Sequence, residues 1–362
     1  MAINKDSICT HSGGGGNGVL SVETLPDVEE TLNKELPINQ ILCGDNRILL
    51  SELPANSIDL VITSPPYYQQ RYYGGGMGNE TTPELYIAEL LEVFKECLRV
   101  IKPTGSVVFN IGDKYINSNL MLLPYRFAIQ AQMQTKASLI NEITWVKQNP
   151  TPRQYSRRLV SSTEPFFHFV KSKRYYYDIE SYRDKADTKA PNPNSNVGQK
   201  YYGLIEQSDL TPTQKQKAQV KLEKAIDEVK SGQITNFRMK IKGIHAEAFG
   251  GQSGGRKQQM ENNGFTIIRM KGNKLAKDVI ETPVATIKGN KHPAIYPVKI
   301  VEKCIKLLTP VNGVALDPFM GSGSTAIACK KLDRQYIGFD INPDYCEDAI
   351  KRVMGFIQSP RA

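Results

Sequence analysis

The stretch that decides the fold is Gly313-Val314-Ala315-Leu316-Asp317-Pro318-Phe319-Met320-Gly321-Ser322-Gly323-Ser324-Thr325. It reads as an apolar strand that ends in an acid, then a glycine turn, then a helix predicted over 325–331. A second strand, 335–340, ends in Asp340, which lies 17 residues after Gly323. Glycines at a helix N-terminus let backbone amides approach a ligand closely. The unit therefore predicts a parallel α/β sheet with a ligand site at the carboxyl ends of its strands.

The acids of this unit indicate the kind of cofactor. Asp340 stands where a carboxylate usually binds the two hydroxyls of a ribose. The turn is not G-x-G-x-x-G, and it begins at Asp317, which we expect at the opening of the site. A carboxylate there would repel a pyrophosphate and attract a cationic sulfonium. The sequence thus favours S-adenosylmethionine over NAD.

A second unusual stretch follows the β-branched run 58–63, which stops at Ser64-Pro65-Pro66-Tyr67. Two prolines cannot continue a central strand, so we expect this tetrapeptide at the strand's carboxyl end. A hydroxyl and a carbonyl can accept the two hydrogens of an exocyclic aromatic amine, and a tyrosine ring can stack on a base. We expect Tyr67→Ala to impair base capture and Tyr67→Phe to be mild.

The rest of the chain shows how these two units are connected. Further strands are predicted at 41–43, 106–111, 142–147 and 164–170, with helices at 47–53, 83–99 and 122–134 between them. From residue 171 the strand–helix alternation stops, and it resumes with a helix at 298–309. Within the break, a helix is predicted from Pro212 to the stop at Gly232.

Composition narrows the class of protein. The chain has 362 residues, 40% hydrophobic and 23% charged, as expected for a globular protein. It has no apolar run long enough to cross a membrane and no signal-peptide core, so we expect a cytoplasmic, nucleoid-associated protein without membrane contact. Six scattered cysteines and four distant histidines predict reduced thiols and no metal site.

The net charge of +9 lies in one region. Residues 171–290 hold 22 Lys+Arg against 13 Asp+Glu, and the remainder of the chain is balanced. Such an excess suits a region that binds a polyanion, although a solvated lysine-rich surface would give the same count.

Together, the two motifs resemble those of the β-class DNA amino-methyltransferases, a permuted group in which the catalytic motif precedes the cofactor motif. Residues 64–67 match the catalytic tetrapeptide. Residues 317–325 match the cofactor loop D-P-F-x-G-S-G-T-T, with serine at 324 where threonine is commoner. The resemblance implies catalytic roles for Ser64, Pro65, Pro66 and Tyr67, and cofactor-binding roles for Asp45, Asp317, Phe319, Gly321, Gly323, Ser324, Thr325, Asp340 and His292.

The resemblance covers roughly 40–170 and 290–352. It implies a Rossmann-like, doubly wound α/β methyltransferase sheet, circularly permuted, with a smaller target-recognition domain inserted. We divide the chain into a flexible tail (1–38), a catalytic part (39–170), a DNA-binding target-recognition region (171–290) and a cofactor-binding part (291–362).

The first letter of the tetrapeptide bears on the target base. S-P-P-Y resembles cytosine-N4 enzymes, whereas D-P-P-Y is typical of adenine-N6 enzymes, which stay the alternative. Basic residues beside the site are candidates for contacts with duplex DNA: Arg71, Lys147, Arg153, Arg157 and Arg158.

Two remoter alternatives are a NAD-dependent oxidoreductase and a DNA-binding protein without catalytic activity. A cognate restriction endonuclease and a homodimer are compatible with the resemblance, which decides neither.

Overall fold

The computed structural model describes residues 35–71, 76–150, 155–183, 196–245, 256–270, 276–285, 295 and 297–358. The chain divides into two compact units, Met1–Leu36 and Pro37–Ala362, and every element named below belongs to the second.

The strands of the described residues are, in chain order, β1 (Gln40–Cys43), β2 (Ile58–Thr63), β3 (Ile101–Asn110), β4 (Tyr115–Ile116), β5 (Asn119–Leu120), β6 (Ser138–Lys147), β7 (Thr163–Val170), β8 (Asn236–Ile241), β9 (Phe265–Met270), β10 (Val279–Thr282), β11 (Val314–Asp317) and β12 (Gln335–Asp340). The helices are α1 (Asn46–Ser51), α2 (Pro83–Val100), α3 (Leu123–Gln134), α4 (Ile179–Tyr182), α5 (Gln199–Glu206), α6 (Pro212–Lys230), α7 (Arg256–Asn263), α8 (Val298–Leu308), α9 (Ser324–Lys331) and α10 (Pro343–Gln358).

Eight strands form one sheet in the order β1-β12-β11-β2-β3-β7-β6-β10. The first five run parallel to one another, β7 is antiparallel to both of its neighbours, and β10 is parallel to β6. The predicted mostly parallel sheet is therefore confirmed. The carboxyl ends of β1, β12, β11, β2, β3, β6 and β10 lie at the same edge, called here the catalytic edge.

Strands from both halves of the sequence belong to this one sheet. β11 and β12 lie between β1 and β2, and Leu316 of β11 is in register with Val61 of β2. This order brings the end of β2 beside the end of β11, although the two strands are more than 250 residues apart in the sequence.

Apolar side chains cover the sheet on both faces. On one face, Phe94 of α2 and Phe127 of α3 pack against Phe109 and Phe169, with ring centroids 4.9–6.3 Å apart. On the other face, α8 and α9 pack against the alternate residues of the same strands, including Val108. Alternation of side chains along a strand explains why neighbours such as Val108 and Phe109 serve opposite faces. The doubly wound fold is confirmed.

The two longest described helices, α2 and α6, begin at capping residues of the sequence. Thr82 accepts a hydrogen bond from the backbone N–H of Leu85, and Pro83 occupies the first turn of α2. α6 begins at a full capping box formed by Thr211 and Gln214. These contacts satisfy N–H groups that lack a partner within the helix.

The inserted region has its own core. Buried residues of α5, α6, β8 and β9 form a cluster that includes Ile205, Leu222 and Met239. The ends of 171–290 belong to the main sheet instead: β10 pairs with β6, and Tyr182 is buried in the core beneath α8. Tyr182 also donates to the carbonyl of Lys277 at 2.7 Å, which holds both ends of the insertion against the sheet.

No helix in the described ranges is long and apolar enough to cross a membrane.

Candidate active site

The predicted catalytic and cofactor motifs meet at the catalytic edge. Thr63, the last residue of β2, donates from Oγ1 to Asp317 Oδ1 at 2.6 Å. Asp317 ends β11, and Ser64 follows Thr63 directly. The glycine loop after β11 and the tetrapeptide after β2 are therefore neighbours, joined by a buried hydrogen bond.

Asp317 lies inside this junction and not at the opening where we expected it. Its side chain is 0% exposed. Thr325 donates to Oδ2 at 2.6 Å, and the backbone N–H of Phe319 donates to Oδ1 at 3.1 Å. The carboxylate thus ties the loop to β2 and to the first turn of α9, because a buried charge needs such donors. The expectation that Asp317 stands at the opening of the site was wrong, and its role in cofactor binding stays a prediction.

Asp340 is the acid that borders the loop. It ends β12, is half-buried, and accepts hydrogen bonds from the backbone N–H groups of Gly321 at 2.8 Å and Asn342 at 2.9 Å. Burial raises the pKa of this carboxyl, and the two N–H donors act in the opposite direction. Its position at the end of the strand next to the glycine loop is the predicted one.

The glycines let the loop pass close to its neighbours. Gly323 has a φ of +79°, and a Cβ there would lie 3.2 Å from Cβ of Ala349 in α10. Gly338 leaves room for Met320, whose side chain would meet a Cβ at 2.2 Å. Met320 is buried and packs against this strand.

Ser324 and Thr325 follow the glycine loop in the first turn of α9, and both are buried. Arg352 of α10 donates from Nη1 to the carbonyl of Ser322 at 2.7 Å and lies 3.3 Å from Oγ of Ser324. Sequence reasoning missed Arg352. The signal available for it was weak, because basic residues are common in amphipathic helices such as α10. Phe319 is half-buried.

Asp45 lies at the same edge, one strand beyond Asp340. The N–H of Gly44 donates to the backbone carbonyl of Asp340 at 2.9 Å, and Asn46 donates to the carbonyl of Pro318 at 3.1 Å. Asp45 caps α1 and pairs with Arg47 at 2.8 Å; hydrogen bonding to that guanidinium lowers the pKa of its carboxyl.

The tetrapeptide forms a polar network. Oγ of Ser64 lies 3.2 Å from Oδ1 of Asn110, and the Tyr67 hydroxyl lies 2.8 Å from the same oxygen. Asn110 ends β3, and its Nδ2 donates to the carbonyl of Pro165 at 3.0 Å. That bond orients the amide so that Oδ1 faces Ser64 and Tyr67.

An ion pair borders the network on its other side. The Tyr67 hydroxyl lies 2.9 Å from Oε2 of Glu164, and Lys147 donates to Oε1 of the same carboxylate. Both side chains are mostly buried, and the Lys147 ammonium also lies 5.1 Å from the ring centre of Trp145. We predicted Lys147 as a DNA contact, and the structure places it beside Glu164. The catalytic pocket, named after the predicted role of the tetrapeptide, is the group formed by Ser64, Tyr67, Asn110, Lys147 and Glu164.

The tetrapeptide backbone is fixed by its surroundings. The carbonyl of Pro66 accepts from the Tyr86 hydroxyl at 2.9 Å, and Pro65 is buried. The Tyr67 ring passes so close to Gly112 that a Cβ there would lie 2.3 Å from it.

Asn110 and Glu164 are the residues that sequence reasoning missed in this pocket. A polar residue at the end of the apolar run of β3, and an acid at the start of the aromatic run of β7, were the available signals.

The other predicted DNA contacts are dispersed. Arg71 and Arg157 are exposed. The Arg158 guanidinium stacks between the rings of Tyr115 and Tyr155. Arg153 and His292 lie outside the described residues.

Comparison with known proteins identifies the family. The DNA methylase family model, N6_N4_Mtase, matches residues 58–351, which is most of the chain. This chain belongs to the DNA methylase family. The match decides against a NAD-dependent oxidoreductase, and it makes DNA the substrate of the enzyme.

Individual relatives agree with this assignment. The chain is 25% identical to the type II methyltransferase M.Cfr9I of Citrobacter freundii, over 93% of each protein. It is 26% identical to M.PvuII of Proteus hauseri, over 83% of this chain and 80% of that protein.

Solved structures of other proteins share the fold of this methylase. The structure of PvuII DNA methyltransferase (cytosine-N4-specific) matches 87% of this chain and 90% of its own with a TM-score of 0.55 at 17% identity. A Thermus thermophilus protein, TTHA0409, complexed with S-adenosyl-L-methionine, matches 89% of this chain and 95% of its own with a TM-score of 0.51 at 17% identity.

Proposed function

We propose that this DNA methylase transfers a methyl group from S-adenosylmethionine to the N4 amine of a cytosine extruded from duplex DNA at a specific site. One observation carries the proposal: the glycine loop after β11 and the tetrapeptide after β2 are joined by the Thr63–Asp317 hydrogen bond. A cofactor on the loop and a base on Tyr67 would therefore be neighbours.

The residues at the loop suit this cofactor. Asp340 offers a half-buried carboxylate at the end of a strand, where ribose hydroxyls can donate to it. Gly321 and Gly323 carry no side chain that could block close approach, and Phe319 offers a half-buried ring. Asp45 lies one strand beyond Asp340 at the same edge, and the resemblance implies that it too binds the cofactor. When bound, the cofactor supplies an electrophilic methyl group on a cationic sulfur.

The task of the tetrapeptide is to orient a weak nucleophile, because the amine's lone pair is delocalised into the base. The Ser64 hydroxyl can donate its hydrogen to Oδ1 of Asn110, which leaves its oxygen lone pairs to accept from the amine. The Pro65 carbonyl would accept the amine's second hydrogen, and the Tyr67 ring would stack on the base. Holding reactants in this way is catalysis by positioning.

A serine suits cytosine in this scheme. The proton of the amine can leave after methyl transfer, when the nitrogen has become strongly acidic, so no strong base is needed at position 64. Adenine-N6 transfer is the alternative, since the matching family model includes both activities.

Mapping of methylated bases in the genome of a host that expresses the protein tests this proposal. We expect N4-methylcytosine at one short sequence, and the same map supplies the recognition site. N6-methyladenine as the sole product would overturn the cytosine assignment. A Ser64→Ala variant is the control, and we expect it to bind S-adenosylhomocysteine normally while leaving the host DNA unmodified.

A further inference from the structure

The loop between β6 and β7 rises directly beside the catalytic pocket. Its described residues are 148–150 and 155–162, and the backbone N–H of Lys147 donates to the carbonyl of Ser162 at 2.8 Å. Glu164, two residues after Ser162, forms the ion pair with Lys147 and contacts the Tyr67 hydroxyl. This loop therefore borders the side of the pocket at which Glu164 contacts Tyr67.

Two aromatic rings hold the loop in place. The guanidinium carbon of Arg158 lies 3.7 Å from the ring centre of Tyr155 and 3.8 Å from that of Tyr115. Tyr115 belongs to the β4–β5 hairpin, which follows the strand that ends in Asn110. The Tyr115–Arg158–Tyr155 stack thus connects the loop to the side of the pocket formed by β3. Cations placed over aromatic faces are stabilised by the quadrupole of the ring.

The residue after Arg158 is a leucine whose side chain is exposed to solvent. Leu159 is 89% exposed and follows two arginines in sequence. A single exposed leucine needs no explanation by itself. This one, however, stands on a segment that the stack fixes, at the rim of the catalytic pocket, beside cations suited to phosphates. On the same rim Leu120, paired with Tyr115 across the hairpin, is also exposed.

We propose that Leu159 enters the base stack of the DNA duplex and fills the space that the extruded target base leaves. This inference rests on the proposed function. Proteins that distort a duplex frequently insert an apolar side chain between base steps, and extrusion of a base costs unstacking and unpairing energy. The Arg158 stack fixes the backbone from which Leu159 extends, and exposed Arg157 lies where it can contact a flanking phosphate.

The test compares two substrates with the same mapped site. One is a fully matched duplex, and the other carries a mismatch opposite the target base, which makes extrusion cheaper. We expect Leu159→Ala to lower kcat/KM about tenfold on the matched duplex and less than about threefold on the mismatched one. Leu159→Met should restore most of the activity on the matched duplex, since it returns an apolar side chain of similar length.

Met133→Ala is the matched control. Met133 is also highly exposed, at 75%, but it lies at the end of α3 that leads into the amino end of β6, opposite the catalytic edge. We expect no change on either substrate. Because Leu159 is exposed, the melting temperature of Leu159→Ala should match that of the wild type.

Three results would overturn the inference: an equal loss on both substrates, no loss on the matched duplex, or failure of Leu159→Met to recover activity. A wild-type protein that methylates neither duplex would instead overturn the proposed function, so the two failures are distinguishable.

Discussion

The hydroxyl of Tyr67 does more than the sequence suggests. A ring that only stacks on a base could lose its hydroxyl at little cost, as we expected for Tyr67→Phe. In the structure the hydroxyl contacts both Asn110 and Glu164. We now predict that Tyr67→Phe lowers kcat about tenfold, because removal of a partner in a partly buried network costs about 1–2 kcal/mol. Single-turnover methylation of the mapped duplex measures this.

The control for that experiment is Tyr176→Phe, a half-buried tyrosine at the loop after β7, away from the catalytic edge. Normal single-turnover rates in Tyr67→Phe would show that the network does not support the chemistry.

Asp340 is the residue whose removal should affect the cofactor most directly. We predict that Asp340→Ala weakens binding of S-adenosylhomocysteine by about 1–3 kcal/mol, the cost of losing charged hydrogen bonds to ribose. Titration calorimetry measures the dissociation constant, with Glu92→Gln on the exposed side of α2 as control. Since burial raises the pKa of this carboxyl, affinity should also fall as acidification protonates it. Unchanged affinity in a folded variant would remove Asp340 from the site.

Among single residues, those at strand ends could be predicted and those that support them could not. Ser64, Asp317 and Asp340 were predicted because an apolar run stops at each. The contact of Asp317 with Thr63 could not be predicted, because Thr63 is distant in sequence and only the strand order makes it a neighbour. The contact between Glu164 and Tyr67 could not be predicted either, because it also depends on the strand order.

At the scale of the element, β7 carries a buried histidine. His168 lies within an aromatic run, and its Nε2 is 2.9 Å from Oγ of Ser106 on β3. Burial lowers its pKa from 6.5 to about 4. The unfolded chain therefore binds a proton at a higher pH than the folded protein does. The stability that this neutral histidine contributes is full above about pH 6.5 and is lost as the pH falls towards 4.

We predict from this shift a loss of roughly 2 kcal/mol of unfolding free energy at pH 5 relative to pH 7. Thermal unfolding at the two pH values, with His168→Asn beside the wild type, isolates the effect. The variant should be less stable at pH 7 but should change less between the two values. An identical change in both proteins would mean that His168 does not titrate in this range.

Helices that begin at a capping residue were easier to predict than a short strand at the edge of the sheet. Capping residues such as Thr82 and Thr211 mark helix starts because they satisfy N–H groups locally. β10 was not predicted: its four residues, Val279–Thr282, carry no strong pattern, and pairing with β6 makes them a strand.

For the whole molecule, the order of strands explains how a permuted chain forms one site. β11 and β12 enter the sheet between β1 and β2, so the end of the chain supplies the glycine loop and its first half supplies the tetrapeptide. The sequence predicted this arrangement through the motifs. It could not predict where the insertion separates from the sheet, because the residues that hold its ends, Tyr182 and β10, make their contacts with distant parts of the chain.

We propose that the inserted region recognises the target sequence. A test of this proposal depends on where the insertion separates from the sheet. Residues 196–270 contain the separate core of α5, α6, β8 and β9, and they carry 12 Lys+Arg against 7 Asp+Glu. We predict that replacing 196–270 with a short Gly-Ser linker abolishes methylation of the mapped site but leaves the affinity for S-adenosylhomocysteine within about threefold, because β10 and Tyr182 stay in place. DNA binding should also become less sensitive to salt, since fewer phosphates are neutralised.

A larger deletion, of 171–285, serves as the comparison for this last prediction. It removes β10 from the edge of the sheet and Tyr182 from the core, and loss of a large buried aromatic side chain alone costs about 3–5 kcal/mol. We expect it to unfold at a lower temperature and to bind the cofactor product poorly, whereas the 196–270 replacement melts cooperatively. If the protein that lacks 196–270 still methylates its site, recognition lies in the main domain, and Arg71 beside the catalytic tetrapeptide would be the next residue to substitute.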